Sequence, residues 1–193
     1  MNFGFIKRGI DDADERGAVL ACAPRLDLHE AAVPVFLRYL DRLRGLVDAA
    51  AAHAQAHGLA DRTLLDARLA PDMLPFESQV RTAANFALRA SFPLAGLEIP
   101  PPVECPTSFD GLRAVIDHVA EQLGTLSPAQ FQGAEARVIE SRAGEALVRL
   151  PGSTFLLQYA LPNFFFHLTS AYAILRQRGV PLGKAQFDGF HHY

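Results

Sequence analysis

Cysteine is scarce: Cys22 and Cys105 are the only two in 193 residues. They form no CxxC pair, so neither a disulfide framework nor a thiol redox couple is available, and the usage suits a reducing compartment. Basic runs are absent and the formal net charge is −3, which leaves nucleic-acid binding without electrostatic support. The opening MNFGFIKRGIDDADERG carries a charge every few positions and has no apolar leader core. Long apolar runs are missing elsewhere too. The most apolar stretch, residues 155–166, is interrupted by Gln158, Pro162 and Asn163, and is too short and too polar to span a membrane. No serine nucleophile elbow, Walker loop or dinucleotide fingerprint occurs. The expectation is a cytoplasmic protein with no nucleic-acid and no membrane partner.

What is present is ordinary core material. The chain is 50% apolar and 20% charged, the balance of a globular domain, and a chain of this length buries about 70% of its extended surface without staples. The first residues show no sustained period, and Gly4, Gly9 and Gly17 break any helix there, so residues 1–27 read as an arm. Val33, Phe36, Leu37, Leu40, Leu43 and Val47 then recur at helical steps and predict a first helix. Asp27 and Glu30 have capping-box spacing for its start, and Gly58 is a natural stop. Pro34 either kinks the second turn or marks a later start. Residues 61–91 form a second helical region in two pieces parted by Pro71. Asp72 is placed to cap the second piece, with Pro75 in its first turn. Val80, Ala84, Ala87, Leu88 and Ser91 give that piece an inner face.

Prolines make residues 92–106 an extended crossover. Phe109, Leu112, Val115, Ile116, Val119 and Leu123 mark a third helix that starts at Thr107 or Ser108 and ends at Gly124. Ser127 and Pro128 begin one more short turn. Residues 137–150 read as a small β-hairpin turning at Arg142 to Glu145. Ser153 then caps a fourth helix running to about Arg178, which Pro162 bends. Four helices with one hairpin before the last make an all-α four-helix bundle the simplest architecture.

The fourth helix carries one amide and one imidazole a turn apart, Asn163 and His167, in an otherwise apolar segment. Two readings stand. The pair is hydrogen-bonded inside the bundle, with His167 donating to a neighbouring helix, or it orients a small ligand or weakly binds a metal. Gln79 and Asp72 are placed to reach the same cavity, although Asp72 reads equally as a cap, with Arg68 positioned to pair with it. One imidazole and one amide fall short of the ligand set zinc takes. His53 and His57 have chelating spacing at a helix end, where the dipole alone favours histidine. His191 and His192 sit in a tail, and His118 stands alone on the third helix. The consecutive rings Phe164, Phe165 and Phe166 cannot share one core, so at least one meets the hairpin or a second subunit.

LDARLAPDMLPFESQV together with YALPNFFFHLTSAYAILRQRGVPLGK resembles DUF1993, a bacterial domain of unknown function grouped with the DinB-like four-helix bundles. The resemblance implies a DinB-like bundle over residues 28–188, with residues 189–193 as a tail. It also implies a divalent-metal site. Many DinB-like proteins hold a metal with three histidines, one from the second helix and two on the fourth at four-residue spacing, and some are metal-dependent thiol transferases. Lining up AILRQ puts the two fourth-helix positions at Asn163 and His167. Asn163 thus replaces a histidine. None occurs between His57 and His118, so Gln79 or Asp72 would have to substitute on the second helix. Three functional expectations result. The first is a small-ligand-binding bundle, as a homodimer, with a cleft built around His167, Asn163, Gln79 and Asp72. The second is a metal-dependent thiol transferase or hydrolase with His167 as a metal ligand. The third is a structural or interaction protein whose cleft is filled.

Overall fold

Asp27 opens the first helix. In the computed structural model, which describes residues 27–191, its carboxylate accepts from the backbone N–H groups of His29 at 2.8 Å and Glu30 at 3.4 Å. Two donors that the helix itself cannot pair are thereby satisfied, and α1 runs Leu28–Ala56. Pro34 lies inside it on the exposed side, so the later start is excluded. Val33, Phe36, Leu40, Leu43 and Val47 are buried, as their spacing requires. The arm at residues 1–26, with Cys22, and His192 of the tail lie outside the described residues.

A short α2 (Arg62–Leu65) leads to α3 (Phe76–Leu94). Val80, Ala84, Ala87, Leu88 and Ser91 are buried on α3. Its start differs from the expected one. Pro75 is the capping residue and Asp72 is exposed in the preceding turn. The loop backbone takes over the capping role, because the Phe76 N–H donates to the Ala67 carbonyl at 2.9 Å. Arg68 does not pair with Asp72. It donates to the Met73 carbonyl at 2.5 Å. The end of α3 also differs. Phe92, Pro93 and Leu94 form its last turn and do not belong to the crossover, since burial of Phe92 and Leu94 outweighs the bond that Pro93 cannot make.

The crossover leads to α4 (Phe109–Gly124), whose cap Ser108 accepts from the Gly111 N–H at 3.0 Å. The whole expected stripe from Phe109 to Leu123 is buried. A 3-10 turn at Pro128–Phe131 precedes the hairpin. Strands β1 (Val138–Ala143) and β2 (Ala146–Pro151) pair antiparallel, from Val138 opposite Pro151 to Ala143 opposite Ala146. Arg142 and Ala143 are therefore strand residues, and the turn is only Gly144 and Glu145.

The last long helix is a continuous run: α5 (Gly152–Thr154), a π-helical segment (Phe155–Ala160) and α6 (Leu161–Gln177). It starts at Gly152 with Pro151 as the cap, two residues ahead of the expected Ser153 cap. A Cβ on Gly152 would lie 2.0 Å from the Ala134 carbonyl oxygen, so this close backbone approach fixes the entry of the helix. Pro162 has no N–H to give and its ring crowds the preceding turn. The wider π turn just before it changes the hydrogen-bond register there. A short α7 (Lys184–Asp188), absent from the sequence reading, folds back on α1, where Arg38 donates to the Asp188 carbonyl at 2.8 Å.

The bundle core forms where α1 packs on α3, α4 and α6, and α3 on α4 and α6. Phe36 and Phe164, both fully buried, meet edge to face at its centre with centroids 5.0 Å apart. Among the described residues no helix is long and apolar enough to cross a membrane.

Candidate functional site

The site lies where α3 and α6 run against one another. Gln79, in the first turn of α3, is 1% exposed. Its Nε2 donates to the Leu74 carbonyl at 3.2 Å, which fixes the amide with Oε1 directed toward α6. His167 Nδ1 is 2.7 Å from that oxygen. An amide oxygen only accepts, so Nδ1 carries the proton. In the neutral ring Nε2 then holds the lone pair. Burial pushes the His167 imidazole below its ordinary 6.5, because the charged form is the one that loses solvation. The ring is therefore neutral at pH 7.

Aromatic walls hold the imidazole. Phe86 lies nearly parallel to it, 22° off with centroids 5.7 Å apart, and Phe166 meets it edge-on at 5.2 Å. Phe86 also touches Tyr159, and the Tyr159 hydroxyl donates to the Arg142 carbonyl of the hairpin at 3.1 Å. Phe86 was not anticipated as a site residue. The signal was present in the spacing: it falls seven residues after Gln79, two turns along the same face of α3.

Asn163 takes a different course from His167. Its Nδ2 donates to the Tyr159 carbonyl one turn back, at 2.7 Å, so the amide is folded against its own helix. The two half-buried side chains do not bond to each other, and Asn163 Oδ1 has no hydrogen bond among the described residues. Asp72 is exposed in its turn, and no hydrogen bond or ion pair joins it to the others. The structure thus joins His167 to Gln79, keeps Asn163 one turn away, and leaves Asp72 apart.

Three other histidines have partners away from this site. His53 and His57 stack at 4.1 Å, and His57 Nδ1 donates to the His53 carbonyl at 2.9 Å. His191 Nδ1 lies 2.6 Å from Asp188 Oδ2. The three consecutive phenylalanines diverge as helix geometry demands. Phe164 is fully buried, Phe165 packs on Tyr39 at 4.7 Å, and Phe166 is 56% exposed. Phe166 does not sit under the hairpin. It lines a shallow groove of about 470 Å³ with Leu69, Met73 and Thr169.

The family described as a domain of unknown function, DUF1993, matches over residues 28–188. The chain belongs to DUF1993. No curated protein matches it. Among solved structures it is similar to a DinB family member protein from Shewanella denitrificans, 33% identical, with a TM-score of 0.78 over 86% of this chain and 94% of that one. The bundle of this DUF1993 chain is therefore DinB-like.

The metal site implied by that kinship can be tested against the side chains present. Among the described residues no group of three or more His, Cys, Asp or Glu side chains comes together. On α3 the corresponding donor is an amide whose oxygen accepts from His167 and whose nitrogen is bound to Leu74. Among the described residues this set does not make up a zinc-type site, which takes at least three nitrogen, sulfur or carboxylate donors.

Proposed function

We propose that this DUF1993 protein binds a small ligand, and that His167 Nε2 is the atom that recognises it. One observation supports the reading. Gln79 Oε1 accepts a hydrogen bond from Nδ1–H at 2.7 Å, which leaves a neutral imidazole with its acceptor nitrogen uncommitted. A half-buried acceptor between two aromatic rings suits a ligand that presents an N–H or O–H donor on a flat or apolar body. Asn163 Oδ1, one turn away on α6, supplies a second acceptor. Asp72, the fourth residue expected at the cleft, is exposed on the turn that leads into α3 and is not bonded to the other three.

Ligand-induced thermal shifts across a compound library test this. A binder whose shift disappears in His167→Ala supports the reading, and the same shift profile in wild type and variant contradicts it. The metal-dependent transferase or hydrolase has less support, because the donor set is incomplete. Elemental analysis of untagged protein addresses it separately. The exposed Phe166, beside Leu69 and Met73, is the observation behind a further part of the proposal, a homodimer assembled through this groove.

A further inference from the structure

On another face of α3, away from the Gln79–Phe86 stripe, a cavity of about 530 Å³ opens between α3, α4 and the proline-rich crossover. Its lining includes none of His167, Asn163, Gln79 and Asp72. The volume is in the range of small-molecule sites, roughly 300–1,000 Å³. Most of the wall is apolar: Leu88 from α3, Val115 and Val119 from α4, and Ile99 and Val103 from the crossover. Ile99 and Val103 are 44% and 36% exposed, so the apolar crossover face is left partly uncovered.

Two guanidinium groups stand at this wall, and their states differ. Arg81 is neutralised by Glu77, and its Nε and Nη2 are engaged. It donates to Glu77 at 2.9 Å and to the Cys105 and Pro106 carbonyls at 3.0 Å and 2.9 Å, which ties the crossover to α3. Arg89 has only neutral partners. Its Nη2 donates to Ser141 Oγ at 2.9 Å and to the Arg142 carbonyl at 2.5 Å, and its guanidinium lies 4.8 Å from the Phe86 ring centroid. No carboxylate pairs with Arg89 among the described residues, and its Nε and Nη1 donors are used by none of their hydrogen bonds. The hairpin and Phe86 therefore hold a cation in place at the cavity wall with its charge uncompensated. The free Nε–H and Nη1–H groups can each give a charge-assisted bond to a carboxylate or sulfonate oxygen, and being held in advance lowers the ordering cost of binding.

We propose that this cavity is a second binding site, for a small molecule with an apolar body and a single anionic head, with the head on Arg89. The body lies against Leu88, Val115 and the crossover. Thr82, Asn85 and His118 add polar groups to the lining that bond to no other protein group among the described residues. The site uses none of the four residues of the His167 reading, and Phe86 borders both, its ring facing the imidazole and the Arg89 guanidinium.

The test uses the full chain and two fluorescent probes of similar shape, anionic 1-anilinonaphthalene-8-sulfonate and neutral N-phenyl-1-naphthylamine. Both should bind saturably, and Val115→Trp, which fills the cavity, should remove both signals. Arg89→Gln should weaken the sulfonate probe about tenfold or more and leave the neutral probe nearly unchanged, the difference expected for one charge-assisted contact. Equal weakening of both probes, no weakening, or binding that survives Val115→Trp overturns the proposal. Should either variant fail to fold, competition on the wild-type protein decides. Decanoate should displace the neutral probe at about tenfold lower concentration than decanamide, by the same charge-assisted contact. Equal potency, or no saturable binding of either probe, overturns it.

Discussion

Gln79 Oε1 and His167 Nδ1 face each other at 2.7 Å across the contact between α3 and α6. This bond sets the tautomer of the half-buried histidine on α6, and with it the direction in which that histidine can accept. Loss of the acceptor should therefore be costly. Gln79→Leu strands the Nδ1–H in a partly buried position and should destabilise the fold by about 1–3 kcal/mol, measured by denaturant unfolding. Gln79→Glu should instead raise the His167 pKa above its wild-type value, because an adjacent carboxylate favours the imidazolium.

The pH dependence of stability follows from the same burial. The His167 pKa is lowered in the folded state, so below about 6.5 the unfolded chain binds the proton more readily than the fold does. The contribution to stability is complete above the unfolded-state value and is lost as pH falls through the folded-state one. Thermal melts of wild type and His167→Gln, compared between pH 8 and pH 5, check this. The wild-type melting temperature should fall further than that of the variant, and parallel curves would count against the assignment.

The elements most easily read in the sequence were those set by strong local chemistry. Asp27 and Ser108 announced two helix starts, and the stripe from Phe109 to Leu123 announced a buried face. Tertiary contacts decided the rest. Asp72 has the composition of a cap, but the Ala67 carbonyl reached the Phe76 N–H first. Pro93 ought to stop a helix, but Leu94 beyond it is fully buried. At the site, the four-residue step singled out Asn163 and His167, and their local spacing could not reveal that each bonds elsewhere. Gln79 lies 88 positions from His167 in the chain, so only the packing of α3 on α6 could establish that pair.

Two glycines should respond in opposite ways to alanine. On Gly111 a Cβ would lie 2.0 Å from the Pro106 carbonyl oxygen, which is backbone and cannot turn aside. Gly111→Ala should cost about 1–3 kcal/mol or more and disturb the crossover beside Arg81. Gly45, within α1, has nothing within 4 Å of its added Cβ. Gly45→Ala should stabilise by about 0.5–1 kcal/mol through helix propensity. Chemical denaturation of both variants against wild type reads the two signs.

The groove at Phe166 bears on assembly. Phe166→Ser should lower any self-association of the protein in sedimentation velocity and leave the melting temperature within a few degrees of wild type, since that ring is 56% exposed. A wild-type protein that sediments as a monomer at high concentration would remove the homodimer from the proposal.

The most direct measurement of the central claim is the ring nitrogen spectrum of His167 in uniformly 15N-histidine-labelled protein at neutral pH. His167→Gln assigns the signal. The structure predicts a proton on Nδ1 and the downfield resonance of an unprotonated Nε2. A proton on Nε2 with Nδ1 bare, or an imidazolium at pH 7, would contradict the arrangement on which the ligand proposal rests.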